Sequence, residues 1–116
     1  MAFQLALLGV KGEPPSPRRF CSTALWAADH IIVFGGAGHE PYTNDIWSLD
    51  LTTNEWKSHS VKGHLPEPRI CHSAVVWSNY MLVFGGSIEG GYIGDAWSLT
   101  LQKPSGKPAK PAFSPR

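Results

Sequence analysis

The feature that most constrains this chain is an internal repeat. Shifted on itself by fifty residues, the sequence pairs Arg19 to Leu51 with Arg69 to Leu101 without a gap, and thirteen of the thirty-three pairs are identical. The matches include Cys21/Cys71, Ala24/Ala74, Val33-Phe34-Gly35-Gly36 with Val83-Phe84-Gly85-Gly86, Tyr42/Tyr92, Asp45/Asp95, and Trp47-Ser48-Leu49 with Trp97-Ser98-Leu99. A period of this size marks a duplicated supersecondary unit, one that buries its apolar surface only by stacking on a neighbour.

Inside a unit, short apolar runs alternate with turn residues: Ser22 to Ala27, Ile31 to Phe34, Ile46 to Leu51 and Trp56 to Val61. Four strands are predicted. The connections Ala28-Asp29 and Thr52-Thr53-Asn54 suit antiparallel hairpins, whereas parallel pairing needs crossovers of about a dozen residues or more. The unit is therefore read as a four-stranded antiparallel meander. Ile31-Ile32-Val33-Phe34 and Met81-Leu82-Val83-Phe84 are apolar on both faces, so each sheet is expected to be covered on each side. Composition agrees: 12 Gly, 10 Pro and 5 Trp in 116 residues favour strands and turns over helices.

At this point the sequence resembles the Kelch repeat. The resemblance is carried by Pro68-Arg69-Ile70-Cys71-His72-Ser73-Ala74, by Val83-Phe84-Gly85-Gly86, and by Asn44-Asp45-Ile46-Trp47-Ser48-Leu49-Asp50 followed by Trp56. It implies an all-β fold of four-stranded meander blades from a Kelch-type β-propeller, with the first strand of each blade innermost. About two blades are present. The expected organisation is 1–18, an outer-strand remnant of a preceding blade with a linker; 19–68, the first repeat; 69–102, a second repeat without its last strand; and 103–116, a disordered tail rich in Pro and Lys. The remnant is inferred because Val10 to Arg18 parallels Val61 to Arg69 at an offset of fifty-one, which makes Phe3 to Leu8 an outer strand. The missing last strand is inferred because Gly106 stands where a Trp is expected, among prolines that remove ladder donors. An alternative closure has Phe3 to Leu8 folding round into that slot. Leu49 and Leu99 stand where the family most often has Tyr, which keeps the position apolar.

Several groups invite a chemical reading. Gly35-Gly36 and Gly85-Gly86 lack the Gly-Lys-Ser/Thr of a phosphate-binding loop, and positive φ at a close approach explains them better. Trp47, Trp56 and Trp97 recur at repeat positions and are read as inter-blade packing. Trp26 and Trp77, one repeat position apart, are freer to be surface contacts. Asp45 and Asp95 are expected to accept backbone N–H bonds in the turn before the third strand. His30, His39, His59, His64 and His72 show no metal-ligand spacing, and no Ser/His/Asp set or G-x-S-x-G elbow is present. No cofactor, no metal and no catalytic residue are therefore assigned. Cys21 and Cys71 are read as reduced, packed thiols.

The resemblance implies that loops at the ends of the sheets grip partner proteins, as in substrate adaptors of ubiquitin ligases, cytoskeletal organisers and trafficking effectors. Carried onto this chain, the contact candidates are His39, Glu40 and Tyr42 after the first glycine pair, Ile88, Glu89 and Tyr92 after the second, and the repeated Arg19 and Arg69, whose guanidinium suits an acidic loop. A packing or structural role is the competing reading for Tyr42, Tyr92, Arg19 and Arg69. The expected function is a protein-interaction module, a binding scaffold or adaptor-like surface. Its alternatives are a fragment of a propeller enzyme of galactose-oxidase or specifier type, whose metal ligands are not found, and a non-functional truncated form.

The remaining expectations are negative or local. A formal charge of +1 sets up no field toward nucleic acid, and the apolar runs fall short of the roughly 18–20 residues of a membrane helix. Met1 to Val10 has no basic residue before its apolar run, so it is not expected to be a secretory leader. Cytoplasm, with the nucleus as second choice, is the expected location. Pro108-x-x-Pro111 is a minimal SH3-ligand pattern whose bland reading is a linker. Self-association, or pairing with further blades, would cover sheet edges otherwise left open.

Overall fold

The computed structural model describes residues 2–39 and 41–102, together with the backbone of residues 113–115. It is all-β, with no helix among the described residues. Strands β1 (Ser22–Trp26), β2 (His30–Gly36), β3 (Thr43–Asp50) and β4 (Glu55–His59) form one antiparallel meander in that order. Strands β5 (Ser73–Trp77), β6 (Tyr80–Phe84), β9 (Ala96–Thr100) and β10 (Phe113–Pro115) form the second in the corresponding order. Between β6 and β9, the short strands β7 (Ser87–Ile88) and β8 (Gly91–Tyr92) make a separate hairpin.

The register shows where the duplication slips. Ser22 pairs with Phe34 as Ser73 pairs with Phe84, so β1 and β5 correspond at an offset of fifty-one, while β2 and β6 correspond at fifty. The extra residue sits in the first hairpin: Ala27-Ala28-Asp29 joins Trp26 to His30, whereas Ser78-Asn79 suffices between Trp77 and Tyr80. This corrects the ungapped pairing at its start. Phe20 and Cys71 share a positive φ of 58° and 57°, and Gly36 crowds Cys21 as Gly86 crowds His72. The true counterparts are therefore Arg18 and Arg69, Phe20 and Cys71, Cys21 and His72, not Arg19/Arg69 and Cys21/Cys71.

Both ends of the chain depart from expectation. Phe3, Leu5, Leu7 and Leu8 are exposed and form no strand, so the outer-strand remnant and its proposed closure onto Trp97 to Leu101 are both corrected. The N-terminal segment instead touches β4 through a single parallel bridge, Lys11 to Glu55, held by bonds to the Asn54 carbonyl and from the Trp56 N–H. The regular fourth strand opened by a tryptophan is missing from the second blade, but its slot is occupied. Phe113 pairs with Leu99 where Trp56 pairs with Leu49 in the first blade. Pro115 is tolerated there because β10 is an edge strand whose far side needs no N–H donor. The rest of the proposed tail, 103–112 and Arg116, including Pro108-x-x-Pro111, lies outside the described residues.

The two sheets stack face to face, with β1 against β5. Trp26, Ile32, Phe34 and Ile46 from the first meet Met81, Val83, Leu99 and Leu101 from the second in one continuous core. Alternation along each strand produces this: even-numbered positions of β2 point at the second sheet, and odd-numbered positions of β6 point back. Sheets that each carry two apolar faces gain most of their stability by such stacking, at roughly 25 cal/mol per Å² of apolar surface removed from water.

Candidate functional site

The end of the blades where β2 and β6 finish is where the two repeats diverge, and it is held by one device used twice. Arg18 forks onto Asp45 with Nη1 to Oδ1 at 2.5 Å and Nη2 to Oδ2 at 3.1 Å, while Trp47 Nε1 donates to the same carboxylate at 2.9 Å. Arg69 forks onto Asp95 at 2.6 and 3.0 Å, and Trp97 Nε1 donates to it at 2.6 Å. Each arginine also donates to the carbonyl of the first glycine of its pair, Gly35 or Gly85. Planar bidentate recognition of this kind suits arginine and not lysine.

These contacts reassign two expectations. Asp45 and Asp95 serve chiefly guanidinium and indole donors, with a backbone amide adding a lesser bond at Asp95. Burial alone would raise the Asp45 carboxyl, but the Arg18, Trp47 and Thr43 bonds outweigh it and hold the group below the usual range. At Asp95 the Arg69 bonds dominate and lower it likewise. Arg69 is fully buried, so its candidacy as a partner contact gives way to a structural role. Arg19, one residue after Arg18, stays exposed over the Phe20 ring, 5.3 Å from its centroid.

The glycine pairs fit their structural reading. Gly35 and Gly36 have φ of 68° and 105°, Gly85 and Gly86 65° and 103°, values that L side chains rarely adopt. A Cβ on Gly35 would lie 2.9 Å from the Arg69 carbonyl oxygen of the other blade. Beside it, His72 reaches across the seam, its Nε2 2.7 Å from Ser22 Oγ and 3.1 Å from the Phe34 carbonyl, with its ring edge-on to Phe34. A carbonyl only accepts, so Nε2 carries the proton, and burial lowers the imidazole's affinity for a second one.

On this frame sit the loops. Arg19 pairs with Ala37, and Ile70 with Ser87, so each loop after a glycine pair is anchored to the residues entering the innermost strand. The first loop leaves His39 exposed and Tyr42 half-buried. The second is the β7–β8 hairpin, with Ile88 half-buried, Glu89 at its tip and Tyr92 91% exposed. His39, Glu89, Tyr92 and Arg19 are thus available at one end of the blades, Tyr42 and Ile88 partly so, and Glu40 lies outside the described residues.

Sequence reasoning missed a Ser–His pair: Ser48 Oγ lies 2.6 Å from His59 Nε2 across the β3–β4 pairing. Ser48 is buried and His59 half-buried, and the pair ties β4 to β3. No group of three potential metal ligands occurs among the described residues.

Residues 3–113 match the family model described as the KLHDC2/KLHL20/DRC7 Kelch-repeats domain. Similar proteins include Acyl-CoA-binding domain-containing protein 5 of Arabidopsis thaliana, 40% identical over 58 residues, half of this chain and 9% of that protein. Another is the Rho GTPase-activating protein gacHH of Dictyostelium discoideum, 34% identical over 61 residues, 53% of this chain and 4% of its own length. The Rab9 effector protein with kelch motifs of Bos taurus is 35% identical over 63 residues, covering 52% of this chain and 17% of that protein. The chain spans less than a fifth of the length of these curated relatives. With the four-stranded meanders, the paired glycines and the family match over nearly the whole sequence, the chain belongs to the Kelch-repeat family.

Proposed function

We propose that the chain is a protein-interaction module whose contact surface is the loop end of its blades. The observation that carries this reading is a fixed frame under variable loops. Arg–Asp–Trp ties of the same geometry hold the β2–β3 and β6–β9 connections, yet those connections differ in sequence, Gly38-His39-Glu40-Pro41 against Ile88-Glu89-Gly90-Gly91. Binding residues concentrate on such loops because the scaffold positions them without restricting their identity. Tyr92 offers a rigid amphipathic ring in the open, and tyrosine is enriched at protein interfaces. One relative supports the general role through its name, a Rab9 effector protein with kelch motifs.

Photo-crosslinking tests the surface directly. A photoreactive residue at Tyr92 or His39 is expected to yield discrete adducts with a partner protein, whereas the same residue at Thr53, an exposed turn at the opposite end, yields none. Equal yields at the two ends, or no adducts from the loop end, would overturn the reading. Tyr92→Ala with Glu89→Lys is expected to weaken partner binding tenfold or more, about 1.4 kcal/mol, without lowering the unfolding temperature.

A further inference from the structure

We propose that Ser16 is a phosphorylation site for a proline-directed protein kinase, its phosphate docking on the Arg18 guanidinium at the loop end of the first blade. This goes beyond the loop-end reading and does not rest on it, since phosphate transfer and docking are read without any partner protein.

The argument starts from a difference between the two copies of the Arg–Asp–Trp tie. By the offset of fifty-one that β1 and β5 follow, Ser16-Pro17-Arg18-Arg19 corresponds to Glu67-Pro68-Arg69-Ile70. The backbone agrees: Arg18 Nε donates to the Ser16 carbonyl at 3.2 Å, as Arg69 Nε donates to the Glu67 carbonyl at 3.1 Å. Ser16 and Glu67 are both exposed. In the second blade the stretch and its tie hold one guanidinium, Arg69, against two carboxylates, Asp95 and Glu67. In the first blade the balance is reversed, with Arg18 and Arg19 against Asp45 alone and a hydroxyl where the second acid stands. A phosphoserine carries about −1.5 to −2 charge at neutral pH, so its formation at Ser16 gives the first blade the acidic balance that the second has permanently.

The hydroxyl is presented for that step. Residues 13–18 have no regular secondary structure, and Pro17 biases Ser16 toward the extended backbone that a kinase groove accepts. Arg19, three residues after Ser16, keeps its side chain exposed as a basic handle, whereas the second repeat has Ile70 there. Ser16 Oγ already accepts from Arg18 Nη2 at 3.3 Å. That nitrogen has two N–H groups, and one serves Asp45 Oδ2 at 3.1 Å, so a phosphate oxygen on Oγ takes the other in a charge-assisted bond without displacing Asp45. In the transfer, Ser16 Oγ attacks the γ-phosphorus of a nucleoside triphosphate, the bond from that phosphorus to the bridging oxygen of the diphosphate breaks, and the hydroxyl proton passes to the kinase's base. The product sits beside the first loop, because the Pro17 carbonyl abuts Gly38 closely enough to leave no room for a Cβ, and Arg19 and Ala37 exchange backbone bonds. Phosphorylation therefore switches the charge of the surface next to His39.

The whole chain, incubated with a purified cyclin-dependent kinase and magnesium-ATP, tests the proposal. Phosphate is expected on Ser16 by tandem mass spectrometry and is lost in Ser16→Ala, with Ser114, the other serine followed by proline, as the internal comparison. Arg19→Ile, which matches the second repeat at this position, is expected to slow transfer about tenfold. Docking is read by phosphorus NMR. With Arg18 beside it, the second ionisation of the phosphate, ordinarily at about pH 6, is expected about half a unit lower in the folded chain than in the same phosphorylated chain unfolded in urea. No transfer, transfer to Ser114 alone, an unchanged rate in Arg19→Ile, or the same ionisation in the folded and unfolded chains would each overturn the proposal.

Discussion

The two blades carry nearly the same apolar residues in the same register, and they end in opposite circumstances. Phe34 is fully buried and Phe84 is 58% exposed; Trp26 is 7% exposed and Trp77 66%; Leu101 is 4% exposed and its counterpart Leu51 37%. Nothing in the side chains themselves accounts for these differences. The difference is position in the stack: Phe34, Trp26 and Leu101 lie on the seam under the other blade, and Phe84, Trp77 and Leu51 do not. A propeller blade is thus half of two interfaces, and its sequence encodes both whether or not a neighbour is present.

That comparison predicts unequal costs for equal substitutions. Phe34→Ala is expected to lower unfolding free energy by about 3–5 kcal/mol, and Phe84→Ala by less than about 1 kcal/mol, read by urea denaturation. If Phe34→Ala prevents folding, Phe34→Leu against Phe84→Leu reads the same asymmetry. Equal losses would mean that the seam is not the main stabilising contact. Charge removal gives the next largest effect. Asp95→Ala strands the buried Arg69 guanidinium and is expected to cost about 3 kcal/mol, with much of it recovered when Arg69→Met is added, because the uncompensated charge then disappears as well. A double variant no more stable than Asp95→Ala would show that the pair itself, and not the desolvated charge, sets the cost.

The glycines sharpen the comparison at backbone level. Gly35→Ala and Gly85→Ala share the cost of a side chain at positive φ, about 1–2 kcal/mol. Only Gly35 adds a collision with the other blade, 2.9 Å to the Arg69 carbonyl oxygen and to His72 Cε1, whereas the closest approach at Gly85 is 3.3 Å to the Ile93 carbonyl within its own blade. Gly35→Ala should therefore lower the melting temperature by several degrees more than Gly85→Ala.

How far these features are legible in the sequence depends on their range. Strand alternation and hairpins are local, so the meanders and the glycine pairs could be read from Ile31 to Gly36 and from Met81 to Gly86. The residue slip was harder, because an ungapped match placing Arg19 on Arg69 and Cys21 on Cys71 looks better by identity than the match that the backbone follows. Trp26 and Trp77, one position out of phase, were the available signal. The Arg–Asp–Trp tie joins residues 26 or 27 positions apart, and repetition of all three members marked it without revealing which groups bond. β10 was not legible at all, since twelve residues separate Thr100 from Phe113 and only the open edge of β9 selects the pairing. Tyr42 and Tyr92 could not be told apart by sequence, and their exposure differs because the second loop forms its own hairpin.

The smallest expected effect is a pH dependence, and it isolates the part of the seam that the two repeats do not share. Burial, helped by the facing Arg69 charge and only partly opposed by the Phe34 carbonyl, lowers the His72 pKa in the folded chain below its ordinary value. A histidine shifted in this direction binds its proton more readily once unfolded. Its neutral form therefore supports the fold above about pH 6.5, and stability falls as pH drops below that value. His59 shifts the same way, through burial first and the charges of Lys57 and His30 second, and contributes a parallel loss. The lowered Asp45 and Asp95 groups act further down, where stability is lost only as pH falls through their depressed values, below the usual carboxylate range near 3.8. Between pH 7 and pH 5 the histidines should thus dominate. Replacing His72 by the residue its counterpart carries, His72→Cys, is expected to reduce the loss of unfolding free energy over that interval while leaving the His59 share intact, with urea midpoints at several pH values as the readout. An unchanged slope in His72→Cys would mean that the imidazole in the seam does not sense protonation, and that the asymmetry between Cys21 and His72 is one of packing alone.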